Sequence, residues 1–419
     1  MVAHADIAAA TRPVPPAADW AVELLSVGIT GTNGKTSTTL LIAEVLRSSG
    51  HAVAVETTIG AGARVGDLVP RNSSNFFERM RTTSQSGTSR FAIEVTSEAL
   101  ASGWAKRWRF DLGVFTNLTQ DHLDAHGSFE HYLASKAQLF VHLGPGRTAV
   151  LNAADQAAIL LDRVIPSDVK RCWYASPTRG PALTRPDLAL RALHLSLRGT
   201  RIVLEPSAYA EMLGAELETQ LVGAVFAENA LAAASVGLAL GEPANQVKAG
   251  ILALARVPGR FEIVAESPVV VVDYAHTPDA LTRTCEAARD LGNEQPGRAR
   301  VIVVFGAGGN RDKTKRVPMG ESVGALADIA IVTSDNPRDE EPAAIAQAVA
   351  SGCHRGGKCH VVLELDRRRA IERALETANP YDIVVICGKG HETGQTQRGV
   401  TLPFDDATVA REFLGLSTR

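Results

Sequence analysis

The stretch Val27-Gly28-Ile29-Thr30-Gly31-Thr32-Asn33-Gly34-Lys35-Thr36-Ser37 holds the residue types of a phosphate cradle. Backbone N–H groups of a glycine-rich turn, with the N-terminus of a following helix, attract anionic oxygens. Lys35 adds a positive charge, and Thr36 offers a hydroxyl to Mg2+. The spacing departs from the usual G-x-x-x-x-G-K-[ST]. Ile29 stands where its first glycine belongs, and Gly31-Thr-Asn-Gly-Lys-Thr is a shorter variant. A glycine turn with a solvated lysine is the plain alternative.

The flanking elements argue for the cradle. Leu24 to Ile29 reads as a buried strand, and Thr36 to Ser49 as a helix with Leu40, Leu41, Ala43 and Leu46 on one side and Gly50 past its end. Val53 to Glu56 reads as a short strand before a polar loop, Thr57 to Asn75. Phe91 to Val95 and Leu112 to Phe115 are buried-strand candidates. Each ends in a polar cluster, Glu94-Val-Thr-Ser-Glu98 and Thr116 to Gly127, where open α/β sheets place ligands. Tyr132 to Val141 reads as a helix carrying Lys136.

From Arg147 the strand–helix alternation weakens. Arg191 to Glu205 reads as antiparallel strands, and Glu228 to Leu240 as an apolar helix. Ala255 to Phe261 looks like a hinge. Beyond it, strands are expected at Val269 to Asp273, Val301 to Phe305, Ile329 to Thr333, His360 to Leu363 and Ile383 to Cys387, with helices between them. That pattern predicts a second, doubly wound α/β domain. The expected division is a loose tail over 1–20, an ATP-binding domain over 21–257 and a C-terminal domain over 258–419. The run Arg367 to Arg369 reads as the solvated start of a helix capped by Asp366, without a function.

Composition excludes several classes. With 419 residues, two or three domains are expected, and the net charge of −3 gives no electrostatic case for nucleic acid or an anionic membrane. No apolar run approaches the roughly 18 residues of a membrane helix. Five scattered cysteines without a C-x-x-C pair suit a reduced, cytoplasmic protein rather than a disulfide framework or a zinc site.

Nine stretches in register resemble the Mur ligase family. The central-domain set is Gly31-Thr-Asn-Gly-Lys-Thr, Glu94-Val-Thr-Ser, Phe115-Thr-Asn-Leu-Thr-Gln-Asp-His-Leu-Asp-x-His-Gly and Tyr132-x-x-Ser-Lys136. The C-terminal set is Pro258-Gly-Arg-Phe-Glu, Val272-Asp-Tyr-Ala-His-Thr-Pro, Phe305-Gly-Ala-Gly-Gly-Asn-Arg-Asp-Lys, Ser334-Asp-Asn-Pro-Arg and Gly388-Lys-Gly-His-Glu. The last three are most similar to the members that add the third amino acid of the peptidoglycan stem. The resemblance implies an α/β fold: a P-loop central domain followed by a Rossmann-like C-terminal domain. It also implies a reaction, in which ATP phosphorylates a carboxylate and an amino acid attacks the acyl phosphate, giving an amide, ADP and phosphate.

The resemblance assigns roles residue by residue. Gly31, Thr32, Asn33, Gly34, Lys35, Thr36, Ser37 and Asn117 would hold ATP, with Lys35 on the β- and γ-phosphates. Thr36 and Glu94 would hold Mg2+, and Lys136, carbamylated, a second ion. Lys35, Glu94 and Lys136 form the expected catalytic set, and Asp121 and His122 line the same region. Arg260, Asp273 and His276 would reach the nucleotide, Asp273 through the ribose and His276 against the adenine. Arg311, Asp335, Asn336, Arg338, Gly388 and Glu392 would form a zwitterion pocket for an amino acid of the diaminopimelate kind.

The chain also departs from the family pattern. Fewer than the roughly 50 residues of a domain precede the cradle, so the family's UDP-binding domain is not expected ahead of it. A loop usually reading Thr-Thr-Pro is Asn72-Ser73-Ser74-Asn75, Phe226 replaces an amide, and Glu98 stands where a histidine is usual beside the second metal. The expectation is therefore a ligase whose small-molecule carboxylate donor lacks UDP-MurNAc. The alternatives are a true UDP-MurNAc-tripeptide synthetase, with a separate UDP-binding subunit, and a catalytically silent binding protein. Folate polyglutamate synthesis ranks lower, since that group does not share Asp335-Asn-Pro-Arg338.

Overall fold

The computed structural model describes residues 14–69, 76–85, 87–121, 126–357 and 359–417. They form two compact units. The first takes residues up to Thr119, Ala125–His194 and Gly199–Ala255. The second takes Gln120–Asp124, Leu195–Arg198 and everything from Arg256. Both are mixed α/β, as the sequence predicts.

The first unit is built on a ten-stranded sheet. Its strands are β1 (Leu25–Thr30), β2 (Val53–Thr57), β3 (Gly60–Gly62), β4 (Arg90–Glu94), β5 (Leu112–Phe115), β6 (Thr148–Asn152), β7 (Lys170–Ala175), β8 (Leu188–Ser196), β9 (Gly199–Leu204) and β10 (Glu216–Thr219). They run in the order β10-β9-β8-β7-β6-β5-β1-β4-β2-β3. β1 lies between β4 and β5 and is parallel to both. Its residues from Ser26 onward are buried, so it reads as a continuous apolar run rather than an alternating one. Burying each large aliphatic side chain contributes about 1.5–3 kcal/mol.

Two expectations need correction. The alternation does not weaken after Arg147, because β6, the helix Gln156–Asp162 and β7 continue it and β6 pairs parallel with both β5 and β7. The stretch Thr57 to Asn75 is not one loop. β3 folds back antiparallel on β2, and a short 3-10 turn follows at Val65–Asp67. Asn72 to Asn75 lie outside the described residues. A helix at Phe76–Ser84 is not among the sequence expectations. Its period is short and its mean hydropathy low; Phe76 anchors it, with its ring 4.0 Å from that of Trp104 and 5.4 Å from that of Trp108.

The second unit carries a six-stranded sheet: β11 (Glu262–Glu266), β12 (Val269–Asp273), β13 (Val301–Phe305), β14 (Ile329–Val332), β15 (His360–Leu363) and β16 (Ile383–Cys387). The order is β11-β12-β16-β13-β14-β15, with only β11 antiparallel to its neighbour. A small hairpin, β17 (Gly394–Gln397) and β18 (Val400–Pro403), follows. β16 returns between β12 and β13, so the crossover from β15 into it runs opposite to those leaving β12, β13 and β14. Ligands gather at such a switch point, outside the carboxyl ends of the strands. Every residue expected in the amino-acid pocket lies in a loop at those ends. Among the described residues no helix is long and apolar enough to cross a membrane.

Candidate functional site

In the first unit, the chain leaves β1 into a turn that only glycine permits. Gly31 has φ +152°, and a Cβ there would sit 1.8 Å from Thr116 Oγ1. The helix Lys35–Ser48 then begins behind Gly34 with no side-chain cap, so its first N–H groups stay available to a ligand. The loop is held from the end of β5. Thr32 N donates to Asn117 O (2.8 Å), Asn33 N to Asn117 Oδ1 (2.9 Å), and Thr116 Oγ1 and Asn117 Nδ2 to Asn33 O (2.7 and 3.0 Å). Asn117 therefore shapes the cradle through its amide. Lys35 Nζ donates to Thr32 O, 2.8 Å away, and Ser37 is buried in the first helical turn.

At the neighbouring strand end, Glu94 is 2% exposed and accepts from Thr36 Oγ1 at 2.8 Å and from Thr58 N at 3.0 Å. A hydroxyl and a carboxylate in contact at the foot of the cradle are a hard-oxygen pair that fits one divalent cation. Glu98, by contrast, is exposed on the helix Ser97–Ala101. No group of three or more His, Cys, Asp and Glu suited to a metal occurs among the described residues, and His122 lies outside them. Lys136 is 1% exposed. Its Nζ donates to Gly31 O at 2.7 Å and lies 4.3 Å over the Tyr132 ring, whose hydroxyl is 3.2 Å from Thr32 Oγ1. The helix Phe129–Val141 that carries both starts at Phe129, one turn of chain earlier than the hydrophobic pattern indicates, because Ser128 caps it by accepting from His131 N.

Asn229 is a residue whose role the sequence reading missed. It is buried on the helix Ala224–Ala239, with Oδ1 2.5 Å from where a Cβ on Gly34 would lie. Its Nδ2 has no hydrogen-bond partner among the described residues, so a donor waits beside the cradle. Phe226, one helical turn earlier, is 4% exposed.

In the second unit the hinge residues fasten the start of the sheet. Asp273 accepts from Phe261 N at 2.6 Å, Ala275 N at 2.8 Å and Thr284 Oγ1 at 3.2 Å. Burial pushes its carboxyl up; Arg260 and those donors oppose the shift. The Arg260 guanidinium stacks 4.1 Å over Tyr274. His276 Nδ1 donates to Tyr274 O at 2.9 Å, and burial and Lys315 lower its pKa, against Asp121, so the neutral ring is favoured.

The loops after β13, β14 and β16 meet. Gly309 N donates to Asn336 O (2.9 Å), and Arg338 Nη1 to Gly309 O (2.7 Å). Asn336 Nδ2 donates to Glu392 Oε2 at 2.9 Å, and Lys389 Nζ reaches Asn336 Oδ1 (3.1 Å) and the same Glu392 oxygen (3.2 Å). Asp335 packs on Gly388, and Arg338 takes φ +51°. Arg311 is exposed, its Cγ 3.8 Å from a Cβ built on Gly308, where Arg338 Nη1 is 3.1 Å away. Asp335, Asn336, Arg338, Gly388 and Glu392 thus share one network, with Arg311 at its edge. Lys389, wholly buried, was missed as a participant although it lies inside a quoted motif. Gln395 and Thr396 of β17 also join it, donating to Asp335 O and Asn336 Oδ1. The arginine run needs correction: Arg367 is not solvated but 1% exposed, paired with Asp406.

Comparison with known proteins covers most of the chain. Residues 29–237 match the Mur ligase middle domain, and 259–390 match the Mur ligase glutamate ligase domain. The UDP-N-acetylmuramoyl-L-alanyl-D-glutamate–2,6-diaminopimelate ligase of Solibacter usitatus (strain Ellin6076) is 40% identical over 398 residues, 92% of this chain and 76% of that protein. A solved structure of a ligase of the same name is 32% identical with TM-score 0.62, covering 94% of this chain and 78% of the other. Folylpolyglutamate synthase of Mycobacterium tuberculosis, at 20% identity and TM-score 0.69 over 94% of this chain and 92% of its own, shares the fold. With both halves matched and this level of identity, the chain belongs to the Mur ligase family of ATP-dependent acid–amino-acid ligases.

Proposed function

We propose that the protein joins a carboxylate to an amino acid of the diaminopimelate kind, in an ATP- and Mg2+-dependent reaction. The observation that carries the amino acid is the network after β13, β14 and β16. It sets Arg338 and Arg311 beside Asp335 and Glu392, matching carboxylates with guanidinium groups and ammonium groups with carboxylates. Glu392 commits Oε2 to Asn336 and Lys389 and leaves Oε1 for a ligand. Asp335 would take one ammonium, and Arg338 the distal carboxylate.

In the first unit, Lys35 and the helix N-terminus would neutralise the phosphates, and Thr36 and Glu94 would hold the cation, which supplies charge neutralisation when bound. Asn229 Nδ2 would donate to the nucleotide. Lys136, carbamylated, would present an anion for a second cation in place of its present bond to Gly31 O. A donor oxygen attacks the γ-phosphorus, ADP leaves, and the amine then displaces phosphate from the acyl carbon.

As donor we favour UDP-N-acetylmuramoyl-L-alanyl-D-glutamate, since the curated relatives of 35–40% identity carry it in their names. Phe226, buried where the family usually has an amide, favours a second reading in which the donor lacks the sugar nucleotide. A phosphate-release screen crossing donors with and without that handle against diaminopimelate, lysine and alanine tests both. Equal turnover with lysine or alanine would refute the amino-acid reading.

A further inference from the structure

We propose that Arg367 is a positioning residue of the amino-acid site, setting the distance between its two charged loops from beneath. The inference rests on reading that site as the amino-acid site. Arg367 opens the helix Arg367–Thr377, where Asp366 already caps by accepting from Arg369 N. Arg368 and Arg369 face solvent, paired with Glu412 and Glu372. Arg367 turns inward instead and is 1% exposed.

All three of its nitrogens donate. Nε and Nη2 donate to the two oxygens of Asp406, each at 2.7 Å, and Asp406 is itself completely buried. The remaining reach goes to two backbone carbonyls, Nη1 to Ser334 O at 3.3 Å and Nη2 to Cys387 O at 3.0 Å. One carbonyl lies two residues past the end of β14 and the other at the last residue of β16, strands that are not neighbours, because β13 runs between them. No ladder hydrogen bond can therefore set their spacing. Above them, Asn336 bonds to Glu392 and Lys389 across the same two loops; beneath, the rigid planar fork of Arg367 joins the two backbones themselves, a geometry a lysine ammonium cannot span.

The next residue along each loop is a site residue, Asp335 after Ser334 and Gly388 after Cys387. They are in tight contact: a Cβ at Gly388, where φ is +116°, would lie 2.4 Å from Asp335 Oδ2. Such packing leaves little tolerance, so a shift in either loop moves the Asp335 carboxylate relative to Glu392, four residues past Gly388. A buried ion pair is often replaceable by apolar side chains without loss of stability. The fork's bonds to both loops give it a task that apolar packing could not perform.

The test uses Arg367→Lys, which keeps the charge opposite Asp406, and the double variant Arg367→Met/Asp406→Leu, which removes the pair without stranding a charge. Thermal melting and ADP binding establish the fold, and steady-state kinetics give KM for each substrate. Both variants are expected to raise KM for diaminopimelate at least about tenfold while KM for ATP and for the donor stay within about twofold, with Lys the milder. A folded double variant with unchanged KM for the amino acid overturns the inference, as does a parallel rise for all three substrates. Loss of folding in both variants assigns the pair to the core and overturns it too. A parent enzyme that prefers another amino acid refutes the substrate reading instead, and the KM of that amino acid then carries the same test.

Discussion

Replacing Gly31 by alanine should disable nucleotide binding and leave the rest of the molecule folded. The added Cβ would lie 1.8 Å from Thr116 Oγ1, 3.0 Å from Asn117 N and 3.1 Å from Asn117 O. Thr116 cannot step aside cheaply, because it is 1% exposed and its hydroxyl holds Asn33 O at 2.7 Å. Adopting φ +152° with a side chain costs about 1–2 kcal/mol, and losing the Thr116 bond about 1 kcal/mol more. A loop displaced by that combined cost of about 2–3 kcal/mol loses roughly 30- to 150-fold in affinity. Calorimetric titration with ADP and a non-hydrolysable ATP analogue measures it, with far-ultraviolet dichroism as the folding control. Affinity within about threefold of the parent would mean that the loop absorbs the added methyl at well under 1 kcal/mol, against the clash with Thr116.

Lys136→Ala should be inactive and partly restored by formate or acetate, which supply the missing anion; ordinary activity without rescue would contradict carbamylation. Arg338→Ala should raise KM for diaminopimelate by roughly ten- to a hundredfold, the worth of one charge-assisted hydrogen bond, with KM for ATP unchanged. His276 resists protonation when folded, because burial and Lys315 hold its pKa below the ordinary 6.5. The unfolded chain then binds more protons at acidic pH, so stability should be intact above pH 6.5 and decline below it, and His276→Gln should flatten that part of the melting-temperature profile.

What the sequence made legible follows from how locally each feature is determined. β5, β12, β13 and β16 fall on the predicted residues, because strands buried on both faces are unbroken apolar runs bounded by polar turns; β15 also falls there, as a part-exposed edge strand recognisable by its β-branched residues. The cradle was legible because glycines, lysine and threonine act within one turn of chain. Asn229 and Arg367 were not, because their partners lie far away in sequence: Gly34 for the first, Asp406, Ser334 and Cys387 for the second. An arginine in a run of three, just after an N-cap, carries no mark of burial. Lys389 is similar, since a lysine between glycines reads as solvated until Asn336 and Glu392 enclose it.

The ligase reaction itself is open to one decisive incubation. The direct measurement incubates the purified chain with ATP, Mg2+, diaminopimelate and UDP-N-acetylmuramoyl-L-alanyl-D-glutamate, following phosphate release and identifying the product by mass. Phosphate is expected in equal amount to a new amide, dependent on the amino acid and abolished in Lys35→Ala. No amide product, or phosphate release unaffected by Lys35→Ala, would contradict it.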